Sequence, residues 1–299
     1  MSGAWLAFDA SHAPVAPRSL SSVKLDCNGK TLDLAAPVVM GVLNVTPDSF
    51  SDGGKFVDAE TAVAHALRMV DEGAAIIDIG GESTRPGAAP VSEQQEMERV
   101  LPIIERLAHM VDAVISIDTM KPSVMREAVK AGAGLINDVN ALQAEGALKV
   151  AAESAAGLCL MHMQGEPRSM QKAPHYNDVL SEVADFLQQR AKLCEAAGIA
   201  RNRILIDPGF GFGKTLEHNL RLMAELERFT SMPWPVLVGV SRKSMLGALL
   251  DVPPAERVHG GTAAAVLACW QGAKIVRTHD VRAAWQALQV MQSVRRYKD

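Results

Sequence analysis

Eight short runs of nearly continuous apolar residues recur along the chain: Val38–Val42, Ile76–Ile79, Val114–Ile117, Gly134–Ile136, Leu158–Met161, Ile204–Ile206, Val236–Val240 and Lys274–Val276. They lack the alternation of apolar and polar positions that marks a strand with one wet face. Unbroken runs suit strands buried on both faces of a parallel sheet. The runs follow one another at intervals of about 34 residues, room for a strand, two loops and a helix. The intervals carry helical signals. Asp58 is placed to cap a helix bearing Ala62, Ala66, Met69 and Val70 that stops at Gly73. Ser92 to Gln95 fit a capping box, and Pro122 suits the first turn of a helix that stops at Gly132. Asn177 and Asp280 are placed to cap two further helices. Alternating strands and helices give an α/β fold, and eight units predict a (β/α)8 TIM barrel over residues 25–299, with an open doubly wound sheet as the alternative. Residues 1–24 read as an N-terminal extension.

Composition narrows the function classes. A net charge of −4 argues against a general nucleic-acid or anionic-membrane surface, so neither partner is expected. It leaves room for a local basic pocket. Cys27, Cys159, Cys194 and Cys269 form no C-x-x-C pair, which disfavours a zinc site or a disulfide framework and suits a reducing cytoplasm. The sequence holds no apolar run of spanning length and no signal-peptide pattern, so a cytoplasmic location is expected.

The chemistry gathers where the runs end. In order, the ends fall at Asn44, Asp78, Asp118, Asn137, His162, Asp207, Ser241 and Arg277. Buried strands must end in something polar, but small neutral residues would serve. Three Asp and an Arg on one rim point to an active site at the C-terminal mouth of a barrel. The loop from Asn44 to Gly54 is rich in hydroxyls, and the loop from Gly80 to Gly87 offers Thr84 and Arg85 to an anion. Gly213-Lys214-Thr215 imitates the end of a phosphate-binding P-loop, but Pro208 stands where that motif needs glycine. Arg277 and His279 follow the last run, a region that often binds phosphate in this fold. His162 has no partner histidine spaced for a metal site.

Taken in order, Asn44–Gly54, Asp78–Gly87, Ser116–Pro122, Asn137-Asp138, Met161–Gly165, Asp207–Lys214, Gly239–Ser244 and Arg277–Asp280 resemble the motif set of the dihydropteroate synthases. The resemblance implies condensation of 6-hydroxymethyl-7,8-dihydropterin pyrophosphate with para-aminobenzoate to give 7,8-dihydropteroate, by an SN1-like route that sulfonamides inhibit. It implies Asp118, Arg85 and Lys243 as catalytic residues. Asp118, Asn137, Met161, Asp207, Phe212 and Lys243 would bind the pterin. Asn44, Thr84, Arg85, Arg277 and His279 would bind pyrophosphate, with a Mg²⁺ ion on Asn44. Phe50, Thr84, Pro86 and Ser241 would bind the aminobenzoate. A homodimer is also implied, with Trp270 and Trp285 serving an interface or the core. A pterin-dependent methyltransferase of the same barrel family and a non-catalytic pterin-binding paralogue are the competing readings.

Overall fold

The computed structural model describes residues 23–45, 55–83, 90–166 and 169–297. Two antiparallel strands open it, β1 (Lys24–Cys27) and β2 (Lys30–Asp33). There follow β3 (Val38–Asn44), α1 (Lys55–Asp71), β4 (Ala74–Gly80), α2 (Glu93–Met110), β5 (Val114–Asp118), α3 (Pro122–Lys130) and β6 (Leu135–Asp138). Next are α4 (Ala147–Glu153), β7 (Gly157–Met161), α5 (Val179–Ala196), β8 (Ile204–Asp207), α6 (Leu216–Ala224) and α7 (Glu227–Thr230). The chain ends through β9 (Leu237–Gly239), α8 (Ser244–Leu250), α9 (Val258–Trp270), β10 (Ile275–Thr278) and α10 (Val281–Arg295).

Strands β3 to β10 pair in parallel in the order β8-β7-β6-β5-β4-β3-β10-β9. The two ends of that order meet through a parallel bridge between Ile206 and Val236, where the Ile206 N–H donates to the Pro235 carbonyl at 3.0 Å. The sheet therefore closes into a (β/α)8 barrel, and the open-sheet alternative falls. All eight apolar runs are barrel strands.

Each strand gives one side chain to a dry ring inside the barrel: Met40, Ile76, Val114, Leu135, Cys159, Leu205, Leu237 and Ile275. Leu25, Cys27 and Leu34 of the β1–β2 segment pack against this ring. The hairpin thus plugs the N-terminal mouth. Gly134 and Gly157 let it approach, since a Cβ there would lie 2.8 Å from the Cys27 carbonyl oxygen and 3.0 Å from that of Asp26. The hairpin is absent from the reading of eight runs, although Asn28-Gly29 between its strands is a strong turn signal. Both residues have positive φ (55° and 85°), as a type I′ turn requires. A second, larger core lies between strands and helices.

The Ser92 capping box forms as the sequence predicts, and Pro122 opens α3. Three helix starts differ. Asp58 lies inside α1, which begins at Lys55. Asp178, one residue after Asn177, caps α5 by accepting from the Leu180 and Ser181 N–H groups. Asp280 stands at the α10 cap position without capping, because its carboxylate pairs with Arg242 at 2.6 Å. The four cysteines are free and buried. Among the described residues no helix is long and apolar enough to cross a membrane.

Candidate active site

Side chains along a strand alternate between faces, so the residues two beyond the dry ring also point into the barrel. They are Val42, Asp78, Ser116, Asn137, Met161, Asp207, Gly239 and Arg277. Five of these eight are polar (Asp78, Ser116, Asn137, Asp207 and Arg277), where the ring one layer below is wholly apolar.

Asp78 is the centre of this layer. It is fully buried inside β4, which runs on to Gly80, and does not end its strand. Its Oδ1 accepts from the Ser116 hydroxyl at 2.6 Å. Its Oδ2 accepts from Asn137 Nδ2 at 3.1 Å and from Arg277 Nε at 2.6 Å. The same guanidinium donates through Nη2 to Asp118 Oδ2 at 2.7 Å. Arg277 therefore bridges two carboxylates.

Asp118 tips β5 and is mostly enclosed. Burial raises its pKa to about 7 against the opposing Arg277 charge, with Asp78 pushing the same way as burial. Gly80 leaves open the space between Asp118 and Asn44: a Cβ there would stand 3.8 Å from Asp118 Oδ2 and 3.9 Å from Asn44 Oδ1. Across the mouth, burial also raises the Asp207 pKa, countered by Lys243. Asp207 Oδ1 accepts from the Gly209 N–H at 2.7 Å, which starts the glycine-rich turn. Lys243 donates to the Phe210 carbonyl, and its ammonium lies 4.7 Å from the centre of the Phe212 ring. Burial lowers its pKa to about 8, while Asp207 acts to hold the proton. Two acids, buried Asp207 and half-buried Asp118, thus gather with the half-buried cations Lys243 and Arg277 at one mouth, an arrangement that favours a functional site.

Not every strand end points inward. His162 follows Met161 by one residue and so turns outward, where its ring meets Phe186 edge-on at 5.0 Å. Its Nδ1 lies 2.9 Å from Lys214 Nζ. Burial and that neighbouring ammonium lower its pKa to about 2. His162 is a packed structural residue. Lys214 is buried and also donates to the Gly209 and Phe212 carbonyls at 2.9 and 3.0 Å, which binds the glycine-rich turn to the barrel. Ser241 lies beyond β9, where its Oγ accepts from the His279 N–H at 3.2 Å and contacts Nδ1 at 3.1 Å. Ser241 and His279 therefore sit together beside Arg277.

Phe50, Thr84, Arg85 and Pro86 lie outside the described residues. The stems of the loop that carries the last three are described. Glu82 Oε1 accepts from the Val91 N–H at 3.0 Å, and its Oε2 takes Lys121 Nζ at 2.7 Å. The same ammonium reaches buried Glu96 at 2.5 Å. Among the described residues no group of three or more His, Cys, Asp or Glu could hold a metal ion. The Asn44 amide oxygen at the mouth fits Mg²⁺, which commonly takes one or two protein oxygens and completes its shell with substrate phosphates and water.

Residues 40–279 match the pterin binding enzyme family. The chain is 52% identical over 271 residues to the dihydropteroate synthase of Escherichia coli (strain K12), covering 91% of this chain and 96% of that one. The chain belongs to the dihydropteroate synthase family of pterin-binding enzymes. The family likeness extends to Bacillus subtilis (strain 168), whose synthase is 46% identical over 258 residues, 86% of this chain and 88% of that one. Solved synthases superpose closely. The Yersinia pestis enzyme with a sulfonamide drug complex gives a TM-score of 0.87 at 52% identity, over 91% of this chain and 99% of that one. The Xanthomonas albilineans enzyme in complex with 7,8-dihydropteroate gives 0.82 at 46% identity, over 92% and 99%.

Asp78 and Ser116 are the polar site-layer residues to which sequence reasoning gave no role. The signal was present: both stand two residues past ring positions Ile76 and Val114.

Proposed function

We propose that this transferase joins the exocyclic methylene of 6-hydroxymethyl-7,8-dihydropterin pyrophosphate to the amine of para-aminobenzoate. The bond from methylene carbon to pyrophosphate oxygen breaks, the carbon–nitrogen bond forms, and the amine proton leaves to solvent. One observation carries the reading: Asp118 and Asp207 stand with Lys243 and Arg277 at the C-terminal mouth of the barrel, close enough to act on one another's protonation. A pterin edge offers N–H donors that the carboxylates and the Asn137 carbonyl accept, and a carbonyl that Lys243 reaches. Phe212 and Met161 supply apolar walls.

An arylamine is a modest nucleophile, so departure of pyrophosphate does most of the work. Arg277 and His279 hold its oxygens once Arg277 leaves Asp118. The released Asp118 carboxylate then faces the positive charge that develops on the methylene and ring, where a preorganised charge is most effective. Ser241, beside His279, takes the aminobenzoate carboxylate. Asn44 would hold a Mg²⁺ ion, which would supply charge neutralisation for the leaving group. Phe50, Thr84, Arg85 and Pro86 complete the pyrophosphate and aminobenzoate sites from the loops. Sulfonamides, which mimic the aminobenzoate, compete for that site.

A cytoplasmic homodimer fits the surface. The thiols suit a reducing compartment. Helices α9 and α10 pack together, with Leu267, Trp270, Trp285, Val290 and Val294 at 38–66% exposure on their outer faces. Light scattering at micromolar concentration tests the dimer.

The deciding assay is pyrophosphate release from the pterin ester with Mg²⁺, with and without para-aminobenzoate. Release that depends on the aminobenzoate and yields dihydropteroate is the expected result. Methyl transfer from methyltetrahydrofolate without pyrophosphate release would overturn it.

A further inference from the structure

Asp78 touches no face that a ligand can reach, yet it contacts two of the side chains that do. It is completely buried and sits on β4, with Ser116 on the adjacent β5, Asn137 on β6 and Arg277 on β10. Three donors hold it in place. Ser116 holds Oδ1 at 2.6 Å, while Asn137 and Arg277 share Oδ2 at 3.1 and 2.6 Å. A carboxylate only accepts hydrogen bonds. An Asn amide in contact with one must therefore turn its NH₂ toward it, since the flipped amide would set two acceptors face to face. Asn137 is left presenting its carbonyl to the cavity.

We propose that Asp78 is a positioning residue that fixes the amide of Asn137 so that the pterin pocket accepts an N–H of the exocyclic amino group and rejects a carbonyl at that point. The inference rests on the pterin reading of the site and deepens it. Discrimination follows from an unpaired acceptor: a ligand that brings oxygen to the Asn137 carbonyl leaves two buried acceptors in contact, which costs far more than a weak hydrogen bond. In Asp78→Asn the partner amide can donate as well as accept. Asn137 is then free to flip, and the pocket loses its preference. Arg277 also loses one of its two charged partners, so a ligand without pyrophosphate isolates the effect on Asn137.

The test is calorimetric titration of the full chain with 6-hydroxymethylpterin and with its 2-oxo counterpart, in which a carbonyl replaces the amino group. The unaltered chain should bind the pterin and discriminate against the oxo compound. Asp78→Asn should weaken pterin binding by about fivefold or more, the scale of one lost neutral hydrogen bond, and narrow the discrimination. In an Asn137→Ala background the same change should have little further effect. Pterin affinity within twofold of the unaltered chain, or additive losses in the double variant, overturns the inference and leaves the proposed function standing. Absence of pterin binding in the unaltered chain removes both. A second measurement needs no Asp78 variant: the Asn137 side-chain N–H signals, assigned by their loss in Asn137→Ala, should include one proton strongly protected from solvent exchange. Exchange as fast as that of a surface amide also overturns the inference.

Discussion

Replacing Lys121 with Met should destabilise the fold far more than a lysine at the mouth of a barrel suggests. Lys121 Nζ binds Glu96 Oε2 at 2.5 Å and Glu82 Oε2 at 2.7 Å. The Glu96 side chain is 1% exposed, and its Oε1 has no partner among the described residues. Gly81 packs so closely over it that a Cβ there would lie 2.9 Å from Glu96 Cγ. Methionine replaces most of the lysine stem and removes the charge, which strands Glu96. Breaking a buried pair by deleting one partner costs about 3–5 kcal/mol. The low end applies, because Glu82 is 19% exposed and admits some water to the cluster. A loss of about 3 kcal/mol corresponds to roughly 6–12 °C in Tm for a domain approaching this size. Urea and thermal unfolding should both show it, and adding Glu96→Gln should restore much of the loss by neutralising the stranded acid. The same change should raise the KM for para-aminobenzoate, since Glu82 also fastens Val91 on the other stem of the loop that carries Thr84 and Arg85. A Tm shift under about 2 °C, or no recovery on adding Glu96→Gln, would refute the reasoning.

Other consequences follow from the mouth itself. Asp118→Asn should cut kcat by at least about tenfold while moving Tm little, because the charge is needed only as positive charge develops on the substrate; near-normal turnover removes Asp118 from the mechanism. Activity should fall below pH about 7, where Asp118 gains a proton, and above about 8, where Lys243 loses one; a flat profile from pH 6 to 9 contradicts these roles. The same shifts act on stability. The folded pKa of Asp118 is raised, so its contribution is full below about 4, the unfolded value, and is lost as pH rises through about 7. That of Lys243 is lowered, so its contribution is full above about 10 and is lost as pH falls through about 8. Both are weakest between pH 7 and 8, and pterin binding should raise Tm most in that window; a pH-independent increment from pH 5 to 10 would count against it. Gly209→Ala should collapse pterin binding, because Gly209 has φ +70° and a Cβ there would fall 1.8 Å from the His162 carbonyl oxygen; retained affinity would show that the turn is not fixed.

What the sequence revealed and what it hid have separate physical causes. Buried parallel strands write unbroken apolar runs, so all eight were legible, and so was the rim they end on. The N-terminal hairpin was not read, because its four-residue strands are too short to stand out and β2 buries none of its residues fully. Only the Asn28-Gly29 turn betrayed it. Ser116, and the place of Asp78 inside its strand instead of at the end, were hidden for a different reason. A rim reading looks for chemistry at strand ends, but the inward face is set by register, two residues at a time. Met161 and His162 show the consequence: adjacent in sequence, they face opposite sides of the wall, one toward the ligand and the other toward Lys214. A strand-end list therefore mixes cavity residues with packing residues, and only the parity of each position relative to the dry ring separates them. The polar layer works because of what lies beneath it. The apolar ring and its hairpin plug keep water out from below, which is why burial raises the Asp118 and Asp207 pKa values and lowers that of Lys243. A flat ligand that offers donors and acceptors to these groups relieves that cost as it binds, so the apolar floor gives the pterin edge its selectivity.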